Sequence, residues 1–262
     1  KIYCKKLAPL ANIRLQKVNA IMIQRALDAE PSTAQRYNLC KFLRTVFRKA
    51  YKLQLVRKNI MEQVDAPVYH AAKKDVFSRD ELQRIYKTLE GSRYRAFFVL
   101  AFASGCRCGE MQGLKIQSVH EGYIRIENNI RNGHDYPPKT HSSIRDVALP
   151  EHIIAMLRRE WERNGAILGG YVFTNRGGSP FCSMGIGREW HKILAAAGVP
   201  FRNLHYTRHT HATQLLSAGV PILEVQHRLG HASASTTLNK YGHILIDNKE
   251  KVLNAIDNIV GM

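Results

Sequence analysis

Between His205 and His243 the chain gathers the residues best suited to chemistry. His205 and Arg208 stand three apart, Leu229-Gly230-His231 follows two short helical patterns, and Thr236-Thr237 leads to Tyr241-Gly242-His243. Guanidinium and imidazole groups at these spacings can surround one anion, and a phenol stands close behind them. A DNA phosphate is the expected anion, since an Arg fork matches phosphate oxygens in pairs.

A helix through His205 and Arg208 turns both to the same side. Ala212 to Ser217 continues it, Gly219 can cap it, and Pro221 suits the first turn of a second helix with Ile222, Val225 and Leu229 on its apolar face. Helix, Gly-containing turn and helix would equally fit a non-enzymatic helix-turn-helix DNA-binding regulator. His205 with His209, and His227 with His231, have the i, i+4 spacing of zinc ligands. No acidic third ligand or His-Glu-x-x-His pattern accompanies them, so neither a metal nor another cofactor is expected.

Composition also points to a polyanion. The 262 residues include 39 Lys plus Arg against 21 Asp plus Glu, a formal net charge of +18 with a sequence pI near 9.9. Such an excess favours nucleic acid, because each neutralised phosphate releases condensed counterions. The length suffices for one large or two modest domains, and hydrophobic residues at 45% are ordinary for a globular chain. No apolar run approaches the roughly 20 residues of a membrane span, and no secretory segment is visible. Cys4, Cys40, Cys106, Cys108 and Cys182 are odd in number and scattered, which suits reduced thiols in a cytosol. A cytoplasmic protein is the expectation.

The elements that must position these residues follow from periodicity. Residues 1–66 are helical and strongly basic. Ser32-x-x-Gln35 forms a capping box for a helix in which Leu39, Phe42, Leu43, Val46, Phe47 and Ala50 share a face. Arg36, Lys41, Arg44, Arg48, Lys49 and Lys52 occupy the remainder and are candidates for DNA-backbone contacts, as are Lys73 and Lys74 in a linker over 67–76. A second domain, 77–262, opens with the capping box Ser78-x-x-Glu81. Tyr94 to Ala103 is apolar nearly all round, which predicts a buried helix stopped by Gly105. Alternation at 123–126 and 144–149, with an Asn132-Gly133 turn between, predicts a small antiparallel sheet over 122–149. Helices return from 151. The expected fold class is mainly α with a small antiparallel β-sheet (α+β), in two domains.

Two remote residues are ambiguous by themselves. Arg107 and Glu110 can satisfy each other on one helical turn, and Lys139 beside Pro137-Pro138 has the look of a solvated loop lysine.

Taken in order, the motifs are more specific. Gly105-x-Arg107-x-Gly109-Glu110, Lys139, His205-x-x-Arg208-His209-Thr210, Leu229-Gly230-His231, and Thr236-Thr237 leading to Tyr241-x-His243 resemble the tyrosine recombinases, which include phage and conjugative-transposon integrases. The likeness is firm from 77 to 245 and loose before that. It implies a helical core-DNA-binding domain over 1–66, expected to lack its first helix and to have no arm-binding domain before it, followed by the catalytic domain. It also implies a site-specific recombinase of a mobile element, cutting and rejoining double-stranded DNA through a 3′-phosphotyrosine and working as a tetramer on paired sites. A C-terminal helix from residue 247, with Val252, Ala255, Ile256 and Ile259 at helical spacing, is expected to dock on a neighbouring protomer. DNA-bending proteins are expected accessory partners.

The residues suit that reaction on chemical grounds. Tyr241 supplies the nucleophile, and a phenol ordinarily near pKa 10 needs help to ionise. Arg107 and Arg208 neutralise the non-bridging oxygens. Lys139, an ammonium among other cations, is the candidate general acid for the 5′-hydroxyl leaving group. His205 accepts the tyrosyl proton or hydrogen-bonds the phosphate, His231 donates to a phosphate oxygen, and Glu110 holds Arg107 or His205. His209 and His211 are expected to be structural. A type IB topoisomerase shares this mechanism, and site-independent relaxation of supercoils would distinguish it.

Overall fold

In the computed structural model of the chain, which describes residues 3, 6–69, 76–136, 144–167 and 170–230, two units are distinguished, Lys1–Lys73 and Lys74–Met262. The first is built on α1 (Ala20–Asp28), capped by Asn19, and α2 (Thr33–Lys52), capped by Ser32. Ser32 Oγ accepts from the Gln35 N–H, but Gln35 does not close the expected box: its side-chain oxygen accepts from Lys6 instead. The buried stripe of α2 is Leu39, Cys40, Leu43, Phe47 and Ala50. It lies slightly off the predicted face. Cys40 is inside, whereas Phe42 is 39% exposed and stacks on Tyr3 at the edge. Ile23 and Leu27 of α1 pack against this stripe together with Ile60 and Met61.

In the second unit Ser78 and Glu81 form the predicted capping box at the start of α3 (Arg79–Thr88). Next comes α4 (Arg95–Ser104), buried almost all round as its composition requires. The short α5 (Cys108–Gln112) precedes β1 (Tyr123–Ile126), β2 (Asn129–Arg131), β3 (His134–Tyr136) and β4 (Arg145–Ala148). These strands make two antiparallel pairs, β1 with β4 and β2 with β3. The Asn132-Gly133 turn, with both residues at positive φ, closes the second pair. Ile126 lies opposite Arg145, and both point inward.

Four helices complete the described part: α6 (Glu151–Arg163), α7 (Ser183–Ala196), α8 (His205–Ser217) and α9 (Ile222–Leu229). Trp190 of α7, 1% exposed, meets Phe77 edge-on and Phe98 at 5.0 Å between ring centroids. Burying each such ring contributes on the order of 2–3 kcal/mol. The aromatic core holds α4 against α7. On α8, Thr210 Oγ1 accepts from the Phe77 N–H, and Arg202 just before it pairs with Glu81. These bonds fix α8 to the beginning of the unit. The architecture is α+β, mainly helical. Among the described residues no helix is long and apolar enough to cross a membrane.

Candidate active site

Two glycines set the site's backbone. Gly105 ends α4 at φ +64, where a Cβ would come within 2.6 Å of the His211 ring and 3.0 Å of Leu229. At Gly109 a Cβ would come within 2.2 Å of Asn129 Oδ1 and 2.5 Å of the Ile130 carbonyl oxygen, so α5 lies directly on β2. Arg107 between them caps α5.

The Arg107–Glu110 pair expected from spacing is present. Glu110 Oε1 accepts from Arg107 Nη1 at 2.7 Å, and Oε2 accepts from the Arg107 backbone N–H at 2.9 Å. Glu110 has a second partner that sequence reasoning missed. Arg145 donates through Nη2 to Oε2 at 2.8 Å and through Nη1 to Oε1 at 3.3 Å. Burial pushes the Glu110 carboxyl up, but Arg145 and Arg107 outweigh it and hold the group below the usual carboxylate range.

Arg208, in the first turn of α8, is 2% exposed. Its Nη1 donates to the Gly105 carbonyl at 2.9 Å and its Nη2 to the Leu229 carbonyl at 2.7 Å. Burial, then the nearby charge of Arg107, brings its pKa down to about 10, and it stays protonated at neutral pH. Arg107, Arg145 and Arg208 therefore gather around one carboxylate, three positive charges against one negative. The surplus attracts an anion.

The end of α9 joins the same cluster. The carbonyl of Arg228 accepts from Arg145 Nε at 2.7 Å, that of Leu229 from Arg208, and that of Gly230 from Arg107 Nη2 at 3.3 Å. Unsatisfied carbonyls at a helix C-terminus carry partial negative charge and suit cations. Arg228 itself turns inward, donating to Ala148 and Ala103 carbonyls and, through Nε, to His211 Nε2 at 2.9 Å. Since Nε2 accepts, His211 Nδ1 carries the proton and donates to Phe102. Burial, then Arg228, lowers the His211 pKa to about 4, so this imidazole is neutral and structural.

The helix does not give His205 and Arg208 the same setting. His205 is exposed at the start of α8 and meets the buried His209 edge-on at 4.7 Å. Lys139, His231, Tyr241 and His243 lie outside the described residues, as do Lys73, Lys74 and the expected C-terminal helix from 247. On α2, Lys41, Arg44, Arg48, Lys49 and Lys52 are exposed, with Lys41 over the Tyr37 ring. Arg36 is half-buried and donates twice to the Glu30 carbonyl. Among the described residues no three His, Cys, Asp or Glu side chains are grouped as metal ligands would be.

Arg145 had a signal in the sequence. It shares the inward parity of Val147 and Leu149, and an arginine at an inward strand position needs a buried partner. Arg228 had none beyond its place in an amphipathic helix.

A family model described as the phage integrase family matches residues 75–247. A tyrosine recombinase XerC-like protein of Caldanaerobacter subterraneus subsp. tengcongensis is 29% identical over 99% of this chain and 74% of its own length. The ICEBs1 integrase of Bacillus subtilis is 22% identical over 85% of the chain and 65% of its own length. Among solved structures, a Tn1549 transposon integrase in complex with a circular intermediate DNA superposes with TM-score 0.79 at 17% identity, covering 97% of this chain and 91% of that one. A lambda integrase dimer bound to a core site gives TM-score 0.66 at 20% identity over 90% and 88% of the two chains.

Proposed function

This chain belongs to the phage integrase family, and we propose that it is a tyrosine-type site-specific recombinase that cuts and rejoins double-stranded DNA through Tyr241. The observation that carries this is the meeting of Arg107 and Arg208 at the end of α9, directly before the segment that leads to His231 and Tyr241. The Nε–H of Arg208 and the second N–H of each terminal nitrogen make no hydrogen bond among the described residues. Those donors match phosphate oxygens, whose negative charge grows in the transition state.

In the reaction the Tyr241 oxygen bonds to phosphorus and the bond to the 5′-oxygen breaks. The tyrosyl proton passes to His205, and the departing 5′-oxygen takes a proton from Lys139. His231 donates to a non-bridging oxygen. A 5′-hydroxyl reverses these steps to rejoin a strand, with the phosphodiester energy conserved in the phosphotyrosine. Lys41, Arg44, Arg48, Lys49 and Lys52 on α2, with Lys73 and Lys74, neutralise backbone phosphates and contribute position rather than sequence readout.

The assembly is a tetramer on paired sites, joined through the C-terminal helix from 247 and assisted by DNA-bending proteins. Lambda integrase has been solved as a tetramer bound to a Holliday junction, which supports this arrangement. Its place is the bacterial cytoplasm, with the nucleoid. The test is incubation with a nicked duplex carrying a site selected from random sequence by the wild-type protein, followed by denaturing electrophoresis. A covalent adduct that Tyr241→Phe does not form supports the proposal. Specific binding without an adduct would indicate a DNA-binding regulator, and site-independent relaxation a topoisomerase.

A further inference from the structure

We infer that Arg145 is a positioning residue for strand cleavage: it neutralises Glu110 from the buried side, so that Arg107 is held by that carboxylate without its charge being cancelled. This rests on the recombinase function proposed above.

Glu110 is saturated. Its two oxygens accept from Arg107 Nη1, from the Arg107 backbone N–H and from both terminal nitrogens of Arg145. A carboxylate offers about four lone-pair sites, so it cannot swing to follow either partner. The partners differ in burial. The Arg145 side chain is 1% exposed and that of Arg107 43%. The inner guanidinium serves the carboxylate, and the outer one is available to a ligand. Without Arg145, a buried carboxylate would be left with Arg107 as its closest cation and would draw that charge inward, away from a phosphate.

Arg145 also fixes where this pair sits. Its Nε holds the Arg228 carbonyl, the first of three successive carbonyls held by Arg145, Arg208 and Arg107. The backbone after α9 is fitted to it: Gly230 stands at φ +63, and a Cβ there would lie 2.9 Å from Arg145 Nη1. One buried side chain thus links the Arg107 fork to the helix end from which the chain runs on to His231. Stability alone is a poor reason for such a pair, since buried ion pairs are often replaceable by apolar groups at little cost.

The test uses full-length Arg145→Met and Arg145→Lys on the nicked duplex described above, made with either a normal scissile phosphate or a methylphosphonate. The methyl group removes the negative charge that Arg107 is there to neutralise. On the phosphate, Arg145→Met is expected to slow adduct formation by about 100-fold, with DNA affinity unchanged. On the methylphosphonate the deficit relative to wild type should largely vanish. Arg145→Lys, which keeps a charge beside Glu110, should lose about ten-fold on the phosphate only, and it decides the matter if the Met variant does not fold. Equal losses on both substrates would make Arg145 merely structural and overturn the inference, as would wild-type rates on the phosphate. Absence of an adduct from wild-type protein would overturn the recombinase proposal and this inference with it.

Discussion

Arg208 Nη2 donates to the carbonyl oxygen of Leu229 at 2.7 Å, so the guanidinium in the first turn of α8 closes the last turn of α9. The same group reaches Gly105 with Nη1, joining three segments far apart in sequence. Arg208→Lys has one compact ammonium and cannot hold both carbonyls in the plane of a fork. We expect it to lose about 1–3 kcal/mol in urea unfolding and about 100–1000-fold in adduct formation on the nicked duplex. Cleavage within a few-fold of wild type would remove Arg208 from the reaction.

Substituting two glycines should shift stability in opposite directions. Gly105→Ala meets both a left-handed backbone and a close approach of 2.6 Å, and should cost about 1–3 kcal/mol. Gly187 lies within α7 with nothing within 4 Å of an added Cβ, and Gly187→Ala should gain about 1 kcal/mol. Denaturant midpoints measure both. Equal and small effects would contradict the close approach of α4 to His211.

Stability should fall as the medium becomes acid, in a window set by His211. Its folded pKa is about 4 against 6.5 for an unperturbed imidazole, so the unfolded chain takes up the proton first. The contribution is complete above pH 6.5 and drains away as pH falls towards 4, reaching about 3 kcal/mol. His211→Leu should flatten that part of a stability-against-pH curve. Parallel curves for variant and wild type would show that another group is responsible.

Reversing charge on α2 should weaken DNA binding through salt dependence. For Arg44→Glu with Arg48→Glu, the slope of log affinity against log salt should become shallower by about 0.9 for each phosphate no longer neutralised. Arg36→Gln should instead lower stability, because Arg36 bonds the Glu30 carbonyl. Fluorescence anisotropy across a salt series distinguishes these outcomes, and an unchanged slope in the double variant would take α2 off the DNA.

What the sequence made legible was local. The capping box at Ser78, the all-round apolar α4, the Asn132-Gly133 turn and the Arg107–Glu110 spacing each depend on neighbours within a few residues, and each is found in the structure. Only half of the Ser32 box forms, because a distant Lys6 competes for Gln35. The spacing of His205 and Arg208 turns both to one side of a helix, yet packing against Gly105 and Leu229 buries only the arginine. Arg145 lies beyond such local reasoning, because its partners are 35 and 83 residues away. No periodicity reports such pairs; only an inward-facing charge on a strand hints at them.

The most direct measurement is to find the side chain that carries the DNA. The adduct formed on a nicked duplex can be digested with nuclease and trypsin and the modified peptide sequenced by mass spectrometry. The expected result is a nucleotide remnant, linked through its 3′-phosphate, on Tyr241 in the peptide Tyr241 to Lys249. A remnant on any other residue, or an adduct that persists in Tyr241→Phe, would contradict the assignment of Tyr241 as the nucleophile served by Arg107 and Arg208.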